Sequence, residues 1–411
     1  MPRFFALRWQ FFCAISFFIS VLFMEQCEVT NLRNIATFWN FSIISPKSPP
    51  FSEVLGKNFD LPNHVDKNEL DVKISMKDHS NTTENLDLAS YRTTRQASKL
   101  STTTAIDVSE SPETLPWWER VNVTDCNELN SFKYKNARKF LPSTHNISNF
   151  KPIIGHCGYR ASLLGDDQKV ISYSVYGNDS DYFYGISFIM EDARILYPGW
   201  NIRIHTLPKE HYSFFCPLLM KYPNLALCDA ENLPEPLGDV SMLNPMLWRS
   251  SPMGDPQVER FIVRDSDAKL SKREAAAVEQ WISYRKPLHL LRDHPAHTAP
   301  IMGGMFGIWQ PPPMLKIFEK IRQRLFVRNL NDDQYNLARA MPAGLLLHHS
   351  VQHSSYQCRL LGKALPFPTQ RQDGIFVGNA MYKSQYRNVT SIMPRCPVAC
   401  RPPEHQDWLY C

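Results

Sequence analysis

The run Val258-Glu259-Arg260-Phe261-Ile262-Val263-Arg264-Asp265-Ser266-Asp267, followed closely by Ser271-Lys272-Arg273-Glu274, decides the fold. Residues Val258 to Val263 are the β-branched and aromatic mixture of a buried strand. Ser271 with Glu274 three residues later is a capping box, which opens a helix over Ala275 to Ser283. The chain must therefore turn at Arg264 to Asp267, at the carboxyl edge of a sheet, where open α/β sheets hold their ligands. Two carboxylates one residue apart on such a turn make an oxygen site for a hard divalent ion, with open positions for substrate phosphates. Asp-x-Asp alone is a weak pattern that usually marks a solvated turn; the strand before it and the capped helix after it give it weight.

Outward from this run, short apolar strands alternate with helical patterns from about Lys151, the signature of an α/β domain. Strands are predicted over Lys169 to Tyr176, Asn201 to Thr206 and Leu225 to Cys228. Ile186, Ile189, Ala193 and Leu196 fall at helical spacing and end at Pro198-Gly199. A helix is predicted over Lys209 to Tyr222, and another over Pro312 to Leu325 with a core-facing stripe. Asp332 is placed as the N-cap of a helix over Gln334 to Ala340. A chain of 411 residues with 43% hydrophobic and 12% aromatic residues can bury a sizeable core. Its net charge of +5 is spread without blocks, which gives no support to a nucleic-acid partner.

Towards the N-terminus, Arg3 and Arg8 precede an apolar run from Trp9 to Met24, and Glu25 and Glu28 follow it. By the positive-inside bias, residues 1–8 form a cytosolic tail, 9–24 a signal-anchor and the remainder lies in the lumen. The run is short for a span, so a cleaved signal peptide competes; Met24-Glu25-Gln26-Cys27 lacks the small residues a cleavage site needs and favours the anchor. Residues 25–118, rich in Ser, Thr, Asn, Asp and Pro without periodicity, read as a disordered stem, leaving 119–411 as the luminal domain with its core at about 151–360. Sequons at Asn40, Asn81, Asn122, Asn146, Asn178 and Asn388 agree with that address. Beyond Cys13 in the apolar run, nine cysteines face an oxidising compartment. The last eight, Cys126 to Cys411, can close among themselves. Cys27 is then left for an intermolecular disulfide and a homodimer, with a free or palmitoylated thiol as the equal alternative. Disulfides are favoured over zinc at Cys396, Cys400, His405 and Cys411, whose spacing suits no common zinc module.

The Val258 to Asp267 run, with Arg273-Glu274-Ala275-Ala276-Ala277-Val278, Arg292-Asp293-His294-Pro295, Gly303-Gly304-Met305-Phe306-Gly307 and Asp333-Gln334, resembles a poorly characterised group of A-type, nucleotide-diphospho-sugar-dependent glycosyltransferases. The match spans roughly Ile171 to Cys358, with its segments in the same order. The resemblance implies a Rossmann-like α/β domain with a mixed central sheet and manganese, ahead of magnesium, at Asp265 and Asp267. It implies a nucleotide-sugar donor along the end of the first strand, contacted by Tyr176, Arg264 and Ser266. The metal would neutralise the diphosphate leaving group as the glycosidic bond breaks. Segment 292–307 is then an active-site loop, with His294, His297, Gly303 and Gly304 meeting donor or acceptor. The family's His-Asp-Ser motif is His353-Ser354-Ser355 here, so one acid is missing; His353, with His349 second, is the expected third metal ligand. Asp293, Asp332 and Asp333 are the carboxylates available as a catalytic base, with Asp332 the commoner cap. The expected activity is transfer of a sugar to a glycan or glycoprotein acceptor at the Golgi or endoplasmic reticulum membrane. The alternative is a membrane-anchored luminal binding or structural protein that kept the fold without the chemistry.

Overall fold

The structure, a computed structural model, describes residues 115–120, 126, 155–328, 332–372, 374–383 and 393–411. The proposed tail, anchor and Cys27, the stem as far as residue 114, and all sequons except Asn178 lie outside the described residues. Among the described residues no helix is long and apolar enough to cross a membrane.

The protein is a mixed α/β fold around one seven-stranded sheet, in the order β3-β2-β1-β4-β6-β5-β7. The strands are β1 (Gln168–Ser174), β2 (Asn201–Thr206), β3 (Leu225–Asp229), β4 (Val258–Arg264), β5 (Leu288–Arg292), β6 (Met305–Trp309) and β7 (Ser350–Ser354). β1 pairs in parallel with both β2 and β4, and β2 with β3. β6 alone runs against its neighbours β4 and β5, while β5 and β7 are parallel. The first four strands stand where periodicity predicts them. β5, β6 and β7 are additions to that reading, and segment 292–307 is a loop only from Asp293 to Gly304, with strand on either side.

The helices are α1 (Tyr159–Leu163), α2 (Ser180–Leu196), α3 (Tyr212–Lys221), α4 (Pro245–Trp248), α5 (Lys272–Tyr284), α6 (Pro312–Arg328), α7 (Asp333–Ala340) and α8 (Ala343–His348). The predicted helix over Lys209 to Tyr222 is two pieces, a 3-10 turn at Pro208–Glu210 and α3, which meet at non-helical His211. Ser271 caps α5 by accepting the Glu274 backbone N–H at 3.2 Å. Glu274 itself turns to the Arg264 guanidinium at 2.5 Å and the Tyr197 hydroxyl at 3.0 Å, which ties α5 to the end of β4.

Alternation along β3 separates the two faces of the sheet. Leu225 and Leu227 join Ile171, Tyr173, Ile202 and Ile204 in a core with Ile186 and Ile189 of α2, Phe215 of α3 and Trp281 of α5. Ala226 and Cys228 join Ala161 of α1 and Trp248 of α4 in a second cluster. Helices thus cover both faces, as a buried parallel sheet requires. Trp117 and Trp118 belong to the first core, 1% and 2% exposed. The stem boundary drawn at residue 118 is corrected accordingly: composition cannot register two tryptophans that pack against a sheet far along the chain.

Four disulfides close the last eight cysteines among themselves: Cys126–Cys216, Cys157–Cys228, Cys358–Cys400 and Cys396–Cys411. The first two tie the residues flanking the domain's start to α3 and β3; the last two fold the C-terminal segment onto itself and onto the residues after β7.

Candidate functional site

The chain leaves β1 for β2 on one side and returns to β4 on the other, so the strand order reverses between β1 and β4. At such a switch point a crevice forms outside the carboxyl ends of the strands. Here it is a cavity of about 290 Å³, lined by Ser174 and Tyr176 after β1, by Asp265, Ser266 and Asp267 after β4, and by Gly303, Gly304 and Asp333.

The antiparallel course of β6 delivers the glycines. Arg264 at the end of β4 pairs with Met305 at the start of β6, so the residues just before β6 arrive beside the Asp265 turn. A Cβ on Gly304 would overlap the Asp265 carboxylate, and one on Gly303 the Asp333 carboxylate. Any side chain at either position would displace an acid, which is the physical reason for the double glycine. From the opposite side α2 packs directly on the turn, because a Cβ on Gly185 would overlap the Ser266 carbonyl.

The electrostatic centre is Arg249, the residue after α4, which sequence reasoning missed. Its backbone is fixed to β1 by two serines: its N–H donates to the Ser174 hydroxyl at 3.0 Å, and its carbonyl accepts from the Ser172 hydroxyl at 2.8 Å. Nη1 donates to Asp265 Oδ1, and Nη2 to Asp333 Oδ2 at 2.8 Å. Burial opposes the Arg249 charge, but Asp265 and Asp333 outweigh it and hold the guanidinium above its ordinary pKa. Burial, then the Asp265 charge, push Asp267 up to about 6, against the pull of Lys383, whose Nζ lies 3.5 Å away. Burial also raises Asp333 despite its bond to Arg249. The Asp267 carbonyl accepts from the Tyr382 N–H at 3.0 Å, which brings Lys383 to the rim, over the Tyr182 ring.

Of the expected site residues, Asp265, Ser266, Asp267, Tyr176, Gly303, Gly304 and Asp333 share this one cavity. Tyr176 stands edge-on to Trp248, centroids 6.0 Å apart. The rest of the expected set does not line it. His353 is fully buried on β7, with Nδ1 2.9 Å from His289 Nε2 and Nε2 2.8 Å from Gln280 Oε1. Burial pushes it down to about 3; both ring nitrogens have protein partners, and His353 is not among the residues that line the cavity with Asp265 and Asp267. Asp293 is completely buried and binds Arg273 at 2.9 Å, Arg371 at 2.6 Å, Ser355 at 2.5 Å and the Val377 N–H at 2.9 Å. Burial would raise it, but the two arginines hold it low; it is a charged hub of the core with no free face for an acceptor hydroxyl. His297 Nδ1 accepts the Asp293 N–H at 3.0 Å, and His294 packs on Phe376. Arg264 lies beneath the turn, paired with Glu274. Asp332 caps α7 through the Tyr335 N–H. Asn178 is exposed on the turn after β1.

The oxygen-rich set of Asp265, Asp267 and Asp333 suits a hard divalent cation. Among the described residues no group of three or more His, Cys, Asp or Glu side chains is already arranged to hold one; Arg249 stands between Asp265 and Asp333, and Lys383 beside Asp267. No family model matches the chain, and no curated protein matches it.

Proposed function

We propose that this protein is a divalent-metal-dependent glycosyltransferase of the A-type fold that moves a sugar from a nucleoside-diphosphate donor to a glycan or glycoprotein acceptor. The observation that carries this reading is the meeting of Asp265, Asp267 and the Gly303-Gly304 backbone in one cavity at the switch between β1 and β4. The mixed sheet with its single reversed strand is in keeping with the resemblance.

Asp265 and Asp267 would hold manganese or magnesium, which would supply charge neutralisation for the departing diphosphate. Tyr176, between the end of β1 and Trp248, offers an aromatic wall to the nucleotide. The glycines allow the backbone to approach the sugar phosphate closely. Of the expected bases Asp333 lines the cavity, and it is the carboxylate that would meet an acceptor hydroxyl there while its Oδ2 holds Arg249. The apolar run Trp9 to Met24, the sequons and the disulfides support a type II membrane protein with its domain in the Golgi or endoplasmic reticulum lumen.

A second reading, a binding protein without transfer chemistry, draws on one observation: Arg249 and Lys383 already pair with the two acids of the turn. Thermal unfolding of the detergent-solubilised full chain separates the two. With UDP, GDP, ADP or CDP at about a hundred times its Kd, stabilisation should reach about 2.7 kcal/mol, require manganese and vanish in Asp267→Asn. No manganese-dependent shift with any of the four, from a folded chain, would leave the binding-protein reading.

A further inference from the structure

We propose that Arg249 is an internal counter-ion, which a divalent cation displaces from Asp265 and which then binds the diphosphate of the donor. The inference rests on the metal and donor reading above and adds a residue and an order of events to it.

The two partners of Arg249 are unequal. The Asp333 side chain is 8% exposed and sits at the start of α7, whereas the Asp265 side chain is 40% exposed on the turn. Asp265 is therefore the partner that can face an incoming cation, and Asp333 the one that stays. The Arg249 backbone is pinned by Ser172 and Ser174, so only its side chain has to change partners. Its Nε is buried without a hydrogen-bond partner, as are guanidinium nitrogens of Arg203, Arg260, Arg264 and Arg371, but of these arginines Arg249 is the one that lines the cavity. Once a metal holds Asp265, Nη1 loses its main acceptor and becomes available as a donor on the residue that lines the cavity. A guanidinium anchored on one side by a carboxylate and open on the other is a built receptor for phosphate oxygens. The formal charges agree. Three carboxylates against Arg249 and Lys383 leave a net negative cavity that attracts the metal; the metal then makes it positive and attracts the diphosphate.

Two probes test this on the full chain: manganese alone, and inorganic pyrophosphate at saturating manganese, which reports on the diphosphate whatever the donor base. Arg249→Gln should bind manganese about tenfold or more tightly, the size expected from removing one like charge at contact distance. It should bind pyrophosphate about ten- to a hundredfold more weakly, the loss of one charge-assisted contact. Opposite movements are the signature, because an arginine that merely held the fold would weaken both. Arg249→Gln leaves Asp333 buried and unpaired, so the comparison is repeated between Asp333→Asn and Asp333→Asn/Arg249→Gln, where no such charge remains. Manganese binding that is unchanged or weaker on removal of Arg249, in both backgrounds, overturns the proposal while leaving the metal site standing. A wild-type chain that binds neither manganese nor pyrophosphate overturns both.

Discussion

Gly185 offers a perturbation for which two physical arguments predict opposite signs. It lies inside α2, where alanine is favoured over glycine by about 1 kcal/mol on helix propensity alone. Propensity therefore predicts that Gly185→Ala stabilises. The structure predicts the reverse, because the added Cβ would overlap the backbone carbonyl of Ser266, and a carbonyl in a turn pinned by Asp267 and Tyr382 cannot swing aside as a side-chain tip could. Overpacking of this kind costs about 1–3 kcal/mol. Because the clash is with backbone, the upper part of that range applies, about 2–3 kcal/mol; set against the propensity gain of about 1 kcal/mol, the net loss is about 1–2 kcal/mol, a fall in Tm of a few degrees. The assay is urea unfolding followed by tryptophan fluorescence, with the manganese titration run in parallel. Since the displaced backbone carries Asp265 and Asp267, manganese affinity should fall together with stability. A variant more stable than wild type, with unaltered manganese binding, would refute the claim that α2 sets the position of the carboxylate turn.

Three further outcomes follow from the packing. Glu119 is buried, and burial pushes it up to about 8 from 4.5, so the folded state holds a proton that the unfolded state has released; stability falls as pH rises from 4.5 to 8. Between pH 6.5 and 8 the loss is about 2 kcal/mol, and Glu119→Gln should flatten that limb in pH-dependent urea titrations. A soluble fragment beginning at residue 120 lacks Trp117 and Trp118 and should unfold several kcal/mol more easily than one beginning at residue 114, a difference readable by calorimetry. Asp293→Asn strips the buried Arg273 and Arg371 of their shared partner, so Tm should drop with a cost of about 3–5 kcal/mol. Were Asp293 a catalytic base, activity would vanish with Tm unchanged.

The legible part of the fold is the part coded locally. Val258 to Val263, Asn201 to Thr206 and Leu225 to Cys228 are strands because short apolar runs end at turn residues, and Ser271 caps α5 through a spacing of three. The Asp265 turn could be placed on that basis alone. Arg249 could not, since nothing near Trp248 marks it and its role arises only where α4 meets the end of β1, 75 residues away from it in sequence at Ser174. His353 lies away from the cavity for a related reason. Its motif fixes order along the chain, whereas its register opposite Leu291 on β7 fixes which neighbours it meets, and those are His289 and Gln280. For Asp293, sequence shows a charge and its neighbours but not the two arginines that arrive from α5 and from beyond Phe367.

The walls of the cavity are drawn from Ser174 through Ala380, so no short contiguous piece of the chain contains it. A ligand bound there bridges segments that lie far apart in the polypeptide and meet only in the folded domain. Its binding energy is consequently felt by the whole cooperative unit and not by one loop. Amide exchange would register this as slower opening of distant core strands such as β2 and β3, making occupancy of the site measurable in residues that never touch it.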